Sequence, residues 1–274
     1  MSVQVRNSVH VSGSGAATMV FSHGFGCDQT MWRFMAPAYR ERFRVITYDL
    51  TGSGRSDLSA YDPERYGTLH GYADDLLEIV DAFATGPVIL VGHSVSSMIG
   101  MLATIKAPER FAAQVMVAPS ACYINDRRND RAGEDYIGGF EREDIEELLE
   151  TMDANYLGWS SSLAPAIMGA PERPDLREEL TESFCRNDPT IARHFARVTF
   201  LSDHRPDLPL STTPALILQC SDDLIAPMSA GDYLHRHLPR SVLHVIDNIG
   251  HCPHMSAPTA STRAIDAFLA ELRH

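Results

Sequence analysis

Val88-Ile-Leu-Val-Gly92-His93-Ser94-Val95-Ser96-Ser97-Met98 joins an unbroken apolar run to a helix-like pattern through a corner of small residues. A short run that is apolar at every position and rich in β-branched residues reads as a parallel strand covered on both faces. The corner has the form small-x-Ser-x-small. Such a strand-to-helix turn forces its serine into strained backbone geometry and exposes the hydroxyl at the C-terminal edge of the sheet. Small neighbours are needed because strand and helix backbones pass close together there. Gly92 meets that need, and Ser96 stands where the commoner pattern has a second glycine. The plain alternative is a serine in an ordinary strand-to-helix turn, where Gly and Ser are frequent. His93 reads as a packed structural residue.

Outward from this corner, short apolar runs recur at residues 17–21, 43–48, 114–117, 215–218 and 242–246. Between them lie helical periods: in residues 72–83, Tyr72, Leu76, Ile79 and Phe83 share one face. The alternation predicts an α/β protein with a mostly parallel central sheet flanked by helices. The rhythm breaks from Ala121 to Ser211. Residues 141–157 put Ile145, Leu148, Leu149, Met152 and Tyr156 on one stripe. Residues 174–185 do the same with Leu176, Leu180 and Phe184. Asp188-Pro189 is an N-cap followed by proline at the first helical position, leading Ile191, Phe195 and Val198. A weaker helix covers 158–168. Helices without strands, followed by strands again, predict an inserted lid at 121–210 on a core of 1–120 and 211–274.

A serine hydroxyl becomes a useful nucleophile only when a base takes its proton. In sheets entered through such a corner, an acid and then a histidine follow at the ends of later strands. After residues 215–218 comes Gln219-Cys-Ser-Asp222-Asp223-Leu-Ile-Ala-Pro227. Asp223 is preferred because Asp-x-x-x-Pro is the usual strand-end arrangement; Asp222 is the alternative. After residues 242–246 comes Asp247-Asn-Ile-Gly250-His251-Cys252-Pro253-His254, leading to a final helix near 258–272. His251 is preferred for its position over His254. The pair has no carboxylate or third ligand nearby in sequence, so no metal is expected. The run 17–21 ends in Ser22-His23-Gly24-Phe25-Gly26, and the backbone N–H groups of Phe25 and Val95 are the candidate oxyanion donors. Phe25, Trp32, Tyr123, Trp159 and Phe195 are candidate walls of an apolar pocket, with core packing the alternative for each. Gly52 and Gly54, after Asp49, lack the lysine and spacing of a phosphate-binding loop. They read as a bracing turn, and no cofactor is expected.

With 274 residues, 44% of them apolar, the chain suits one large domain with an insertion. A formal net charge of −13 repels phosphate backbones and argues against nucleic acid as a partner. Five scattered cysteines match neither a disulfide framework nor a paired zinc motif. The first residues lack a targeting pattern and no apolar run could span a bilayer. A cytoplasmic protein without a membrane partner is the expectation. Residues 126–150 carry ten acidic and four basic side chains. Such a run is usually a solvated face, and less often a docking surface for a basic partner.

Three stretches carry a family resemblance: His23-Gly-Phe-Gly-Cys-Asp-Gln-Thr-Met-Trp32, Gly92-His-Ser-Val-Ser-Ser-Met98 and Gly250-His-Cys-Pro-His-Met-Ser256. They resemble the RsbQ-type bacterial hydrolases and are similar to the plant karrikin and strigolactone receptors. Ser96 in place of glycine is the habit of this subgroup, and the stretch from Gln219 to Pro227 matches it too, supporting Asp223. The resemblance covers nearly the whole chain, though the lid matches in pattern more than in residues. It implies an α/β-hydrolase fold with a four-helix, V-shaped lid over an apolar pocket. It also implies a serine hydrolase of small apolar esters or lactones, using Ser94, Asp223 and His251 through a covalent acyl-enzyme. The same resemblance implies an alternative: a slow signalling hydrolase that activates a protein partner, of the PAS-domain phosphatase type, through its lid.

Overall fold

The computed structural model describes residues 2–127 and 135–272. Among these described residues seven strands make one sheet: β1 (His10–Ser12), β2 (Thr18–Ser22), β3 (Arg44–Tyr48), β4 (Val88–His93), β5 (Phe111–Val117), β6 (Ala215–Asp222) and β7 (Ser241–Ile249), in the order β1-β3-β2-β4-β5-β6-β7. Only β1 is antiparallel to its neighbour; the other pairs are parallel. Every residue of β2 and β4 is buried, which is why both read as continuous apolar runs. The helices are α1 (Val3–Arg6), α2 (Leu69–Phe83), α3 (Val95–Lys106), α4 (Arg142–Ala154), α5 (Tyr156–Met168), α6 (Pro174–Arg186), α7 (Pro189–Phe200), α8 (Met228–His237), α9 (Pro253–Ser256) and α10 (Pro258–Glu271). None is long and apolar enough to cross a membrane.

Helices α4 to α7 occupy the interval between β5 and β6, with α5 against α6 and α4 against α7. The chain leaves and re-enters the sheet side by side there: His204 N–H donates to Ala121 O at 2.8 Å, and Cys122 bridges Asp203. The charged run 126–150 includes residues 128–134, which lie outside the described residues. Its later part forms α4, where Glu143 and Asp144 sit in the first turn and favour the positive end of the helix dipole.

The structure departs from the sequence pattern in three places. The stripe over 141–157 is two helices, because Asn155 leaves helical geometry and its side chain accepts from Gly158 N–H at 3.0 Å, starting a new helix. Tyr156 therefore belongs to α5. Strand β1 was not expected: three residues at an edge give too short a pattern to read. Finally, β6 and β7 run beyond the expected 215–218 and 242–246, staying paired to Asp222 and Ile249 across an irregularity after Cys220. Asp223 and His251 follow the ends of these longer strands.

Candidate active site

Ser94 sits between β4 and α3 with φ 55° and ψ −123°, a backbone region that side chains other than glycine rarely adopt. Its N–H is held by Val117 O at 2.8 Å, at the end of the neighbouring strand. Gly92 makes the corner possible, since a Cβ there would lie 2.4 Å from Ser96 O. Ser96, in the usual glycine position, is fully buried and donates to His23 O at 2.5 Å. It accepts from Ser22 Oγ at 2.9 Å, and Ser22 Oγ meets Tyr48 OH at 2.7 Å. A hydroxyl chain from β3 through β2 to α3 thus fixes the peptide that precedes Gly24. Glycine is required at position 24 as well, where a Cβ would lie 2.4 Å from His93 Nδ1 and 3.3 Å from Ser94 Cβ.

His251 Nε2 lies 2.7 Å from Ser94 Oγ, and His251 Nδ1 lies 2.7 Å from Asp223 Oδ2. Asp223 Oδ1 accepts from the N–H groups of Ile225 at 2.8 Å and Ala226 at 3.1 Å, leaving Oδ2 for the imidazole. Asp222, by contrast, points to solvent at the end of β6. The end of α5 and the turn after it hold the loop that carries His251: His251 N–H donates to Ile167 O at 2.8 Å and Ala170 N–H to Ile249 O at 3.0 Å. Gly250, at φ 110°, packs so closely that a Cβ would lie 2.0 Å from Met168 O. The last carbonyls of α5, which a helix end leaves without partners, are used here to fix a loop.

Behind His251 lies a buried group that sequence spacing did not bring out. His93, Cys252 and His254 have donor atoms within 4.8 Å of one another. The His93 and His254 rings stand 4.3 Å apart, and Trp32 packs at a tilt against His254 at 4.7 Å. His93 turns Nε2 to His251 O at 2.9 Å and packs Nδ1 against Gly24, so ring packing accounts for its orientation. Burial lowers the pKa of His254 to about 3 and holds that of His93 well below 6.5. It raises the Cys252 thiol well above its ordinary value. His93, Cys252 and His254 are therefore neutral behind His251.

Above Ser94 and His251 is a narrow cavity walled by Phe25, Tyr123, Ile167, Leu180, Phe184, Thr199, Phe200 and Ile225. The centre of a water-sized sphere fits within only about 20 Å³ of it, space for roughly one water. The Tyr123 hydroxyl lies near Ser94; burial pushes its pKa up to about 12, and the nearby serine hydroxyl opposes the shift. Phe25 is the hub of the roof, with ring centroids 5.7 Å from Phe184, 5.6 Å from Phe195, 6.0 Å from Phe200 and 6.3 Å from Trp159. Of the five aromatic residues expected in the wall, Phe25 and Tyr123 line it. Trp159 and Phe195 lie behind Phe25. Trp32 is buried away from the cavity, packed on Phe21 at 5.1 Å and on His254, because the helical turn that carries it, residues 29–34, packs against β2 and α9. Leu180 and Phe184 were readable as the apolar stripe of α6; Thr199 gave no signal. A wider polar groove beyond Cys27, lined in part by Asp28, Asp49, Arg55 and Arg186, holds none of the Ser94, Asp223 and His251 side chains.

The model of the alpha/beta hydrolase family matches residues 19–264. The chain belongs to that family. This hydrolase is 37% identical over 273 residues to the karrikin insensitive 2 receptor CA of Petunia hybrida, covering 99% of this chain and 97% of the receptor. It is 36% identical over 252 residues to a strigolactone esterase of Arabidopsis thaliana, covering 92% and 91%. Among solved structures, a hydrolase from Oleispira antarctica superposes with a TM-score of 0.92 at 42% identity, covering 98% of this chain and 96% of that one. The resemblance to the karrikin and strigolactone receptors drawn from three short stretches thus extends along the whole hydrolase.

Proposed function

We propose that this α/β hydrolase is a serine esterase or lactonase of small, largely apolar substrates, with Ser94 as nucleophile. The supporting observation is the unbroken line Asp223–His251–Ser94, with both links at 2.7 Å. Ser94 Oγ attacks the substrate carbonyl as its proton passes to His251 Nε2. Asp223 keeps the other imidazole proton on Nδ1 and stabilises the imidazolium. The N–H groups of Phe25 and Val95 hold the oxyanion. His251 then protonates the leaving oxygen, giving an acyl-enzyme, and a water activated by His251 releases the acid. The narrow cavity favours short acyl groups. Wild type and Ser94→Ala compared on p-nitrophenyl acetate test the reading; equal rates would end it.

One observation favours a second reading, a slow hydrolase that signals through its lid. Because Ile167 O holds the His251 N–H, a covalent adduct at the site and the position of α5 are mechanically joined. Hydrogen exchange in α5 and α6, before and after phosphonylation of the nucleophile, tests this; unchanged exchange would remove it.

A further inference from the structure

We propose that the hydroxyl of Thr199 is a substrate handle, bonding a second oxygen in the acyl part of the ester or lactone. The proposal rests on the serine-hydrolase reading and deepens it by naming a substrate class. Thr199 lies near the end of α7, only 1% exposed, and forms part of the wall of the cavity that holds Ser94 and His251. Its Oγ1 is buried without a hydrogen-bond partner. A buried hydroxyl left unpaired is destabilising.

A helical threonine has an easy local remedy, a bond from its hydroxyl to the carbonyl four residues earlier. Thr181, in α6 of the same lid, takes it and donates to Arg177 O at 2.8 Å. Thr199 does not. Nor is its shape the reason for a threonine, since valine fills the same volume without a polar atom to satisfy. The surrounding wall is mostly apolar, from Phe25, Ile167, Leu180, Phe184, Phe200 and Ile225, and the Tyr123 hydroxyl lies near Ser94. Thr199 therefore offers a ligand a buried hydroxyl that no protein group satisfies. The favoured substrates carry an ether, ring or hydroxyl oxygen in the acyl group. A purely alkyl acyl group of equal length leaves Thr199 unpaired, and sites with unpaired polar groups discriminate against such analogues.

p-Nitrophenyl methoxyacetate and p-nitrophenyl butyrate have acyl chains of the same length, differing by oxygen in place of CH₂. The readout is the ratio of kcat/KM for the first to that for the second, which cancels intrinsic reactivity when variants are compared. Thr199→Val is expected to lower the ratio about tenfold, the worth of one hydrogen bond of ordinary strength. Its Tm is expected to rise, because the unpaired hydroxyl is gone. Thr199→Ser is expected to keep the wild-type ratio. A ratio unchanged in Thr199→Val overturns the proposal, as does a variant that melts lower and loses both substrates alike. If wild type hydrolyses neither ester, or Ser94→Ala matches it, the esterase reading falls and takes the proposal with it. An active wild type with an unmoved ratio defeats the proposal alone.

Discussion

Replacing Asp223 by asparagine tests the catalytic line while leaving its shape intact. Two backbone N–H groups, of Ile225 and Ala226, converge on Asp223 Oδ1, and His251 Nδ1 faces Oδ2 at 2.7 Å. An amide has one oxygen, and the two N–H donors will claim it. Its NH₂ then faces His251 Nδ1, which must present a lone pair, so the imidazole proton moves to Nε2. An Nε2–H cannot accept the proton of Ser94. Turning the amide over would lose both backbone bonds, at about 1–3 kcal/mol for each buried group, or about 2–6 kcal/mol together. At about 1.4 kcal/mol per tenfold, kcat should fall roughly 30-fold to 10⁴-fold. The comparable substitution in a known Ser–His–Asp protease costs about 10⁴. Initial rates on p-nitrophenyl acetate near neutral pH measure this, and a melting curve should move little because the backbone bonds survive. Asp223→Asn retaining more than about a third of wild-type kcat would refute the reasoning. Asp222→Asn should be near wild type; a reversal of the two would transfer the role to the exposed neighbour.

Ser96→Gly removes the hydroxyl that holds His23 O at 2.5 Å, so the Phe25 N–H should lose its fixed position. A fall in kcat of about tenfold with KM within about twofold is expected, and an equal change in both would count against a positioning role. Phe184→Ala opens the cavity wall and should destabilise by about 3–5 kcal/mol, read from urea midpoints. It should also raise the rate on longer acyl chains relative to acetate. The folded chain keeps His254 near a pKa of 3 and His93 well below 6.5. Between about pH 6.5 and 3 the unfolded chain binds protons that the folded chain refuses. Stability should therefore fall as pH drops through that window, by about 1.4 kcal/mol per pH unit for His254, with His93 adding in the same direction. His254→Phe keeps a ring against Trp32 and should remove His254's share of the slope; urea midpoints that keep the wild-type pH dependence would contradict this.

The central strands were legible because both faces of β2 and β4 are covered, so burial wrote itself into every residue. Strand β1 was not, being short and set at an edge. The break between α4 and α5 was hidden because Tyr156 stays in phase with Ile145, Leu149 and Met152, so periodicity runs straight through Asn155. Ser94 and His251 could be located because each belongs to a local turn with its own steric demands. Asp222 and Asp223 differ only in which way the chain turns after Cys220, a matter of strand pairing with β7. The hydroxyl chain through Tyr48, Ser22 and Ser96 joins three elements, and the cavity wall draws on loops at the sheet and on α5, α6 and α7. Such contacts leave no periodic trace. Trp32 was misplaced for the same reason: its neighbours are Phe21 and His254, brought together by the fold.

Rapid quenching of the reaction with a p-nitrophenyl ester in its first turnovers, followed by peptide mapping, reads the nucleophile directly. A single acyl adduct is expected, on the peptide containing Ser94, absent from Ser94→Ala. An adduct on another side chain such as Cys27, or turnover that persists in Ser94→Ala, would contradict the assignment of Ser94, His251 and Asp223 as the reacting line.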